Sequence, residues 1–265
     1  FHARQFMNMD KCPDATVRPL EGGFALSQAP DPERPWTEGH FAAFVPDAAA
    51  VSDCAWFRGG WFDPLTMAWK AIASGQVLDR PPHAEGKPAP GGSLYLPFSL
   101  KPREERTVRL LLSWYVPTTD QKHGADPKTE AGSGCGPECD CGPATYRPWY
   151  ASRFSRIEDV AAYWRRDYDR LRAESHSFSD CFYDTNLPAE AIEAVAANLA
   201  ILKSPTCLRQ HDGRFWAWEG CHDSGGCCHG TCTHVWNYAQ AMPHLFPDLE
   251  RSLRETEFKV SQDER

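Results

Sequence analysis

The chain has 265 residues, with 28 lysine and arginine residues against 36 aspartate and glutamate residues, and a net charge of −8. This length is enough for one large domain or two medium-sized domains, each with its own core. The acidic balance and the lack of a long basic run argue against non-specific nucleic-acid binding, which depends on lysine and arginine side chains at phosphates. No apolar segment approaches the roughly 20 residues that a membrane-spanning helix needs.

The N-terminal part of the sequence predicts β structure. Residues 93–100 form a candidate strand, residues 101–105 a turn, and residues 106–116 a second strand that alternates between apolar and polar positions. Its apolar side chains on one face are Val108, Leu110, Leu112, Trp114 and Val116. Shorter candidate strands cover residues 41–45 and 55–61. Short strands separated by turn residues favour an antiparallel β-sandwich, which we assign to residues 1–150.

A long segment rich in glycine and proline, residues 118–148, follows the last predicted strand. It contains Cys135, Cys139 and Cys141. A loop of this length in a compact domain is usually functional or disordered. Here it also separates the β pattern from a helical one.

After this loop the apolar residues follow a helical period. Ser155 and Glu158 form a predicted capping box, in which each side chain accepts from the other residue's backbone N–H. The apolar stripe of this first helix consists of Ile157, Val160, Ala161, Trp164, Tyr168 and Leu171. Further helices are predicted from residue 187 to a stop at Ser204-Pro205, over about 233–242, and from residue 247. Residues 151–265 are therefore expected to be all-helical, with a tight turn at residues 212–214.

The chain ends and the cysteines give expectations about its setting. No signal peptide is visible, and an amphipathic pattern runs close to the C-terminus, so we expect a segment of a longer, cytoplasmic polypeptide.

The eleven cysteines are an odd number. One cluster combines thiols with neighbouring histidines, which suit zinc, but its spacing lacks paired C-x2-C motifs. Free thiols and a zinc site both remain open for this cluster, Cys221, Cys227, Cys228 and Cys232.

The densest group of chemically useful side chains lies between residues 212 and 238. Glu219 follows Trp216 and Trp218 and precedes Gly220 and further glycines that allow close backbone approach. Aromatic faces cover the apolar side of a sugar ring, and paired carboxyl groups cleave glycosidic bonds. Each residue also has an ordinary structural role, as a capped carboxylate, a core tryptophan or a helix-start histidine. The residues by themselves therefore indicate a candidate carbohydrate site.

The sequence also resembles glycoside hydrolase family 116, which includes non-lysosomal glucosylceramidase and bacterial β-glucosidases. The resemblance rests on residues 216–220 (WAWEG), 226–228 (GCC), 231–240 (TCTHVWNYAQ) and 245–251 (LFPDLER). It implies an N-terminal β-sandwich followed by an (α/α)6 barrel, of which residues 151–265 would supply the first helices. It further implies a retaining β-glycosidase that acts on a β-glycoside or glycolipid and needs no cofactor.

The resemblance assigns roles to particular residues. Glu219 occupies the place of the nucleophile, and His234 stands where better-known members carry a sugar-holding aspartate. The expected sugar subsite comprises Trp216, Trp218, Thr233, His234 and Asp223. The family's acid/base aspartate would lie beyond Arg265, so the segment alone is expected to have no useful turnover.

Two alternatives from other functional classes remain. The scaffold could be a carbohydrate-binding or structural domain without catalysis. Alternatively, the cysteine and histidine cluster could make it a zinc-stabilised module, which would unfold with a chelator.

Overall fold

The structure is a computed structural model that describes residues 1–5, 15–60, 63–120, 146–222, 225–227, 230–232, 234–239 and 242–260. The chain divides into two compact units. The first consists of Phe1–Pro32, Thr37–Val116 and Phe154–Leu171. The second consists of Glu33–Trp36, Pro117–Arg153 and Arg172–Arg265.

Two antiparallel sheets form the first unit, which confirms the antiparallel β architecture expected for the N-terminal part. The strands are β1 (His2–Arg4), β2 (Thr16–Leu20), β3 (Gly23–Gln28), β4 (Gly39–Phe44), β5 (Val51–Asp53), β6 (Gly91–Tyr95) and β7 (Leu111–Tyr115), with helix α1 (Pro64–Ala73) between β5 and β6. One sheet has the order β2-β3-β4-β7 and the other β1-β6-β5.

The core of the first unit lies between these two sheets. Phe24 and Leu26 of the four-stranded sheet pack with Trp56 and Leu94 from the three-stranded side. The buried Trp56 Nε1 donates to Ser93 Oγ at 2.8 Å, so the polar edge of the indole is paired inside the core. Packing of two sheets through their inner faces is the arrangement of a β-sandwich.

Strand β7 is shorter than the 106–116 strand predicted from the sequence, and its more deeply buried face is the opposite one. On the predicted apolar face, Leu112 packs on the sandwich core but Trp114 is 63% exposed. Val108, Leu110 and Val116 are exposed as well. The buried residues of the strand are Leu111, Ser113 and Tyr115.

The opposite face is buried because helix α2 (Ile157–Tyr183) covers it. Tyr115 Oη donates to the Phe154 carbonyl at 2.9 Å, just before the helix begins. The Arg165 guanidinium lies 5.0 Å from the ring centre of Phe44. Ile157 and Ala161 are buried. Both faces of the four-stranded sheet are therefore covered, one by a sheet and one by a helix.

The start of α2 is capped, but by a different carboxylate from the one predicted. The Ser155 N–H donates to Asp159 Oδ2 at 3.1 Å, and this hydrogen bond lowers the pKa of Asp159. Glu158, the predicted capping partner, instead forms an ion pair with Arg18 of β2 at 2.5 Å. An acidic residue in the first turn of a helix can either cap the helix or form an ion pair. Glu158 lies beside Arg18 and pairs with it, which leaves Asp159 to cap α2.

The second unit contains helices and strands, so the expectation that residues 151–265 are all-helical is wrong. Its helices are α3 (Ala189–Ala200), α4 (Trp236–Ala239), α5 (Met242–Leu245) and α6 (Pro247–Glu255), the last followed by a π-helical turn over Thr256–Val260. Its strands are β8 (Cys207–Arg209), β9 (Phe215–Ala217), β10 (Cys221–His222) and β11 (Gly225–Gly226). They pair as two antiparallel hairpins, β8-β9 and β10-β11.

Other predicted elements agree with the structure in part. Helix α3 begins after Pro188, and the chain leaves its helical conformation at Ser204, as the sequence predicts. The helix predicted over about 233–242 is helical at Trp236–Ala239 and again from Met242, while residues 233, 240 and 241 lie outside the described residues. Residues 55–60 of the predicted 55–61 strand form no strand, while the β2-β3 hairpin and α1 were not predicted. Residues 121–145, with most of the long loop and its three cysteines, lie outside the described residues.

Candidate active site

The β8-β9 hairpin carries the segment that ends at Glu219. Leu208 pairs with Trp216, and the hairpin closes through the predicted turn at residues 212–214. Gly213 has a φ of 96°, a left-handed conformation that favours glycine, and the Arg214 N–H donates to Asp212 Oδ1 at 3.0 Å. The turn thus fixes the register of the strand leading to Glu219.

Strand β9 and the residue after it present two different faces. Phe215 and Ala217 contribute to the core of the second unit, together with Tyr238, Met242 and Leu253. Trp216 and Trp218 lie on the other face, with ring planes 8° apart and centres 6.5 Å apart. Trp216 Nε1 donates to the buried Gln210 Oε1 at 3.1 Å. The period-2 alternation therefore places both indoles side by side.

Glycines of the following segment lie directly against these indoles. A Cβ built on Gly226 would overlap Trp218 Cδ1, and one on Gly230 would lie 2.9 Å from Trp216 Cε3. Thr231, buried and in the left-handed region with a φ of 62°, donates its N–H to the Ala217 carbonyl at 2.7 Å. The glycines were predicted to let the backbone come close to another group. In the structure that group is the pair of indoles of Trp216 and Trp218.

Glu219 is exposed and lies between two residues whose backbones are fixed. The Trp218 N–H donates to the Thr206 carbonyl at 2.9 Å, and the Gly220 carbonyl accepts from the Cys227 N–H at 3.0 Å. A carboxylate on a backbone held on both sides is a suitable position for a nucleophile, which has to meet its target in one fixed geometry. Sequence reasoning missed the roles of Thr206 and Gln210, although the glycine turn was a signal for the hairpin that places them.

The other residues predicted for the sugar subsite have different surroundings. His234 is exposed, close to the buried Val235. Trp216 and Trp218 are 2% and 0% exposed, so their faces are covered by protein. Thr233 and Asp223 lie outside the described residues. The structure stacks Trp216 on Trp218 in the segment that precedes Glu219, and the predicted subsite stays a prediction.

The cysteines predicted as zinc ligands are only partly described. Cys221 Sγ donates to the Pro205 carbonyl at 3.3 Å, Cys227 is exposed and Cys232 is half-buried, while Cys228 lies outside the described residues. Burial raises the pKa of the neighbouring Cys207, which is not among the predicted ligands, to about 11. Within the described ranges, no group of three or more histidine, cysteine or acidic side chains is arranged to hold a metal ion. The zinc hypothesis stays a prediction.

Comparison with known proteins identifies the class of the molecule. A family model described as beta-glucosidase 2, glycosyl-hydrolase family 116 N-terminal domain, matches residues 4–171. The protein is therefore of the glycoside hydrolase class. The chain belongs to glycoside hydrolase family 116, as the sequence motifs indicated. Glu219 lies outside the matched residues.

A search of curated proteins found no match to this chain. None of the helices in the described ranges combines the length and the apolar character needed to cross a membrane.

Proposed function

We propose that this chain contributes the nucleophile of a retaining β-glycosidase, acting on a β-glucoside or a glucosylceramide-like glycolipid. The observation that carries the proposal is membership of glycoside hydrolase family 116. The position of Glu219 supports it, because the side chain is exposed while the backbone on either side is hydrogen-bonded. The identity of the sugar and of the aglycone follows from the family resemblance alone.

In the proposed mechanism, Glu219 attacks the anomeric carbon and forms a glycosyl ester as the glycosidic bond breaks. A second carboxyl group protonates the leaving oxygen and then takes a proton from the water that hydrolyses the ester. The resemblance places this acid/base aspartate beyond Arg265, so the proposal assigns the nucleophile only. That α3 to α6 begin an (α/α)6 barrel is part of the same proposal.

The residues around Glu219 are given two kinds of role. His234, which is exposed, is proposed to contact the sugar, as are Thr233 and Asp223. A wall role for Trp216 and Trp218 also stays a prediction, and a sugar would reach the indoles only if the covering segment moved. In the conformation described, these indoles hold the backbone that leads to Glu219.

Covalent labelling tests the nucleophile. A polypeptide that extends this segment at both ends would be treated with a 2-deoxy-2-fluoro β-glucoside bearing an activated leaving group. Its peptides would then be analysed by mass spectrometry. We expect an adduct on Glu219, because the fluorine slows hydrolysis of the glycosyl ester more than its formation when the leaving group needs no proton.

Matched variants separate this result from non-specific labelling. Glu219→Gln should give no adduct, whereas Glu190→Gln, which changes an exposed carboxylate in the first turn of α3, should label like the parent. An adduct on another carboxylate would contradict the assignment of Glu219. No adduct on a folded protein that still binds the sugar would favour a binding domain without catalysis.

A further inference from the structure

The first unit contains a large cleft that is separate in sequence from the candidate active site. Its volume is about 1070 Å³, and the lining residues that the structure describes lie between Asp53 and Tyr95. Helix α1 contributes Met67, Lys70 and Ala71, and the segment after β5 contributes Phe57 and Arg58. A cleft of this volume is large enough for a small organic ligand.

The charge of this cleft is opposite to that of the whole chain. Among its described lining residues are four lysine and arginine side chains, Arg58, Lys70, Arg80 and Lys87, but only one carboxylate, that of Asp53. The net charge of the chain is −8. A group of cations on an acidic protein creates a local positive potential that attracts anions.

The single carboxylate is already neutralised. Arg80 Nε donates to Asp53 Oδ1 at 2.9 Å and Arg80 Nη2 to Asp53 Oδ2 at 2.6 Å. Asp53 Oδ1 also accepts from the Ala55 N–H at 3.0 Å. Because Asp53 and Arg80 compensate each other, Asp53 leaves the positive charge of Arg58 and Lys87 uncompensated.

Arg58 is exposed, but its guanidinium is fixed. Arg58 Nη1 donates to the Glu85 carbonyl at 2.7 Å and also to the Lys87 carbonyl. Gly86, with a φ of 78°, forms the turn between them and lies against the guanidinium. These acceptors are neutral, and among the described residues neither Arg58 nor Lys87 has a carboxylate partner. The turn therefore holds a cation in place without compensating its charge.

The cleft also has an apolar side. Phe57 is half-buried, and Gly59 lies directly against its ring, so the ring is held in position. Met67 and Ala71 of α1 are half-buried too. Cations beside an aromatic and aliphatic surface suit a ligand with an anionic group on an apolar body.

We propose that this cleft binds an organic phosphate, with the phosphate at Arg58 and Lys87 and the apolar body against Phe57, Met67 and Ala71. A phosphate offers three acceptor oxygens and up to two negative charges, which suits two cations better than one carboxylate does. This site belongs to the first unit, and binding there does not depend on catalysis at Glu219.

Phenyl phosphate is the probe, titrated into the 265-residue chain by isothermal calorimetry and by amide chemical shifts. We expect binding with shifts at residues 56–59 and 83–87, weakened by added salt because the contacts are ionic. Phenol tests the apolar part alone and inorganic phosphate the anionic part alone, and both should bind more weakly than phenyl phosphate.

Lys87→Glu should weaken phenyl phosphate binding by about tenfold or more, since it reverses a charge at the phosphate. Lys101→Glu makes the same change in net charge on an exposed residue outside the lining, and should leave the affinity within about twofold. Arg58→Gln should weaken binding as well. If it fails to fold, Lys87→Glu still decides, because no described contact depends on the Lys87 side chain.

Four outcomes would contradict the proposal. One is the absence of shifts at the cleft with phenyl phosphate, and another is an equal loss in the Lys101→Glu variant. The third is binding of phenol as tight as that of phenyl phosphate. Inorganic phosphate binding as tightly as phenyl phosphate would overturn the role of the apolar side and leave an inorganic phosphate site.

Discussion

Glu219 owes its position to the residues on either side of it. The Trp218 N–H is bonded to the Thr206 carbonyl and the Gly220 carbonyl to the Cys227 N–H, while the Glu219 side chain reaches solvent. The indoles of Trp216 and Trp218 are buried beneath a glycine-containing segment. The glycines of that segment are therefore needed for the backbone conformation that places the Glu219 side chain.

Gly226→Ala tests this condition. A methyl group at this position would overlap the indole of Trp218, which is fully buried. We expect the free energy of unfolding of the second unit to fall by about 1–3 kcal/mol, as for other overpacked sites. Urea unfolding followed by tryptophan fluorescence would measure it.

Gly220→Ala is the matched control, because a Cβ there meets nothing within 4 Å and the φ is not left-handed. Its stability should stay within about 0.5 kcal/mol of the parent. Equal stability of the Gly226→Ala variant would mean that the glycine segment does not rest on Trp218.

At the scale of elements, helix α2 changes the character of the sheet it covers. Phe44 and Tyr115 lie on the face away from the sandwich core, and the N-terminal half of α2 buries that face. Ala161 in this half is 3% exposed, whereas Ala173 in the C-terminal half is exposed. The same helix thus has one packed part and one part open to solvent.

Ala161→Asp and Ala173→Asp compare these two parts of one helix. A carboxylate at Ala161 would be buried without a partner, so the free energy of unfolding should fall by at least about 3 kcal/mol. At Ala173 the same change should cost only about 0.7 kcal/mol, the difference in helix propensity between alanine and aspartate. Chemical denaturation followed by circular dichroism gives both values, and similar losses at the two sites would argue against the packing described for α2.

The elements also show where sequence patterns were sufficient. Helix α3 starts after Pro188, the 3-10 turn Ile201–Lys203 that follows it ends at Ser204, and the Asp212-Gly213-Arg214 turn formed as predicted, because these signals act within a few residues. The two hairpins of the second unit were missed. Their strands have two or three residues each, too few for a period-2 pattern to differ from a helical one.

At the scale of the whole molecule, the family match and the first unit have the same C-terminal limit. The match covers residues 4–171, and the first unit ends at Leu171, within α2. The first unit has its own core between two sheets. Residues 1–171 therefore contain the packing partners that this unit needs.

A polypeptide of residues 1–171 should fold by itself and unfold in one cooperative transition. A polypeptide of residues 1–153 lacks α2 and exposes the face with Phe44 and Tyr115, so it should bind a hydrophobic dye and unfold without cooperativity. Thermal unfolding by circular dichroism distinguishes the two. Equal cooperativity of both polypeptides would show that α2 is dispensable for the first unit.

The sequence by itself determined what depends on neighbours along the chain and on preserved motifs. It predicted antiparallel strands before helices, the turn at Gly213, the start of α3 and membership of glycoside hydrolase family 116. Tertiary structure decided which face of β7 is buried, which carboxylate caps α2, and that the glycines approach two indoles. Alternation fixes which side chains share a face, but partners distant in sequence determine which face loses its contact with water.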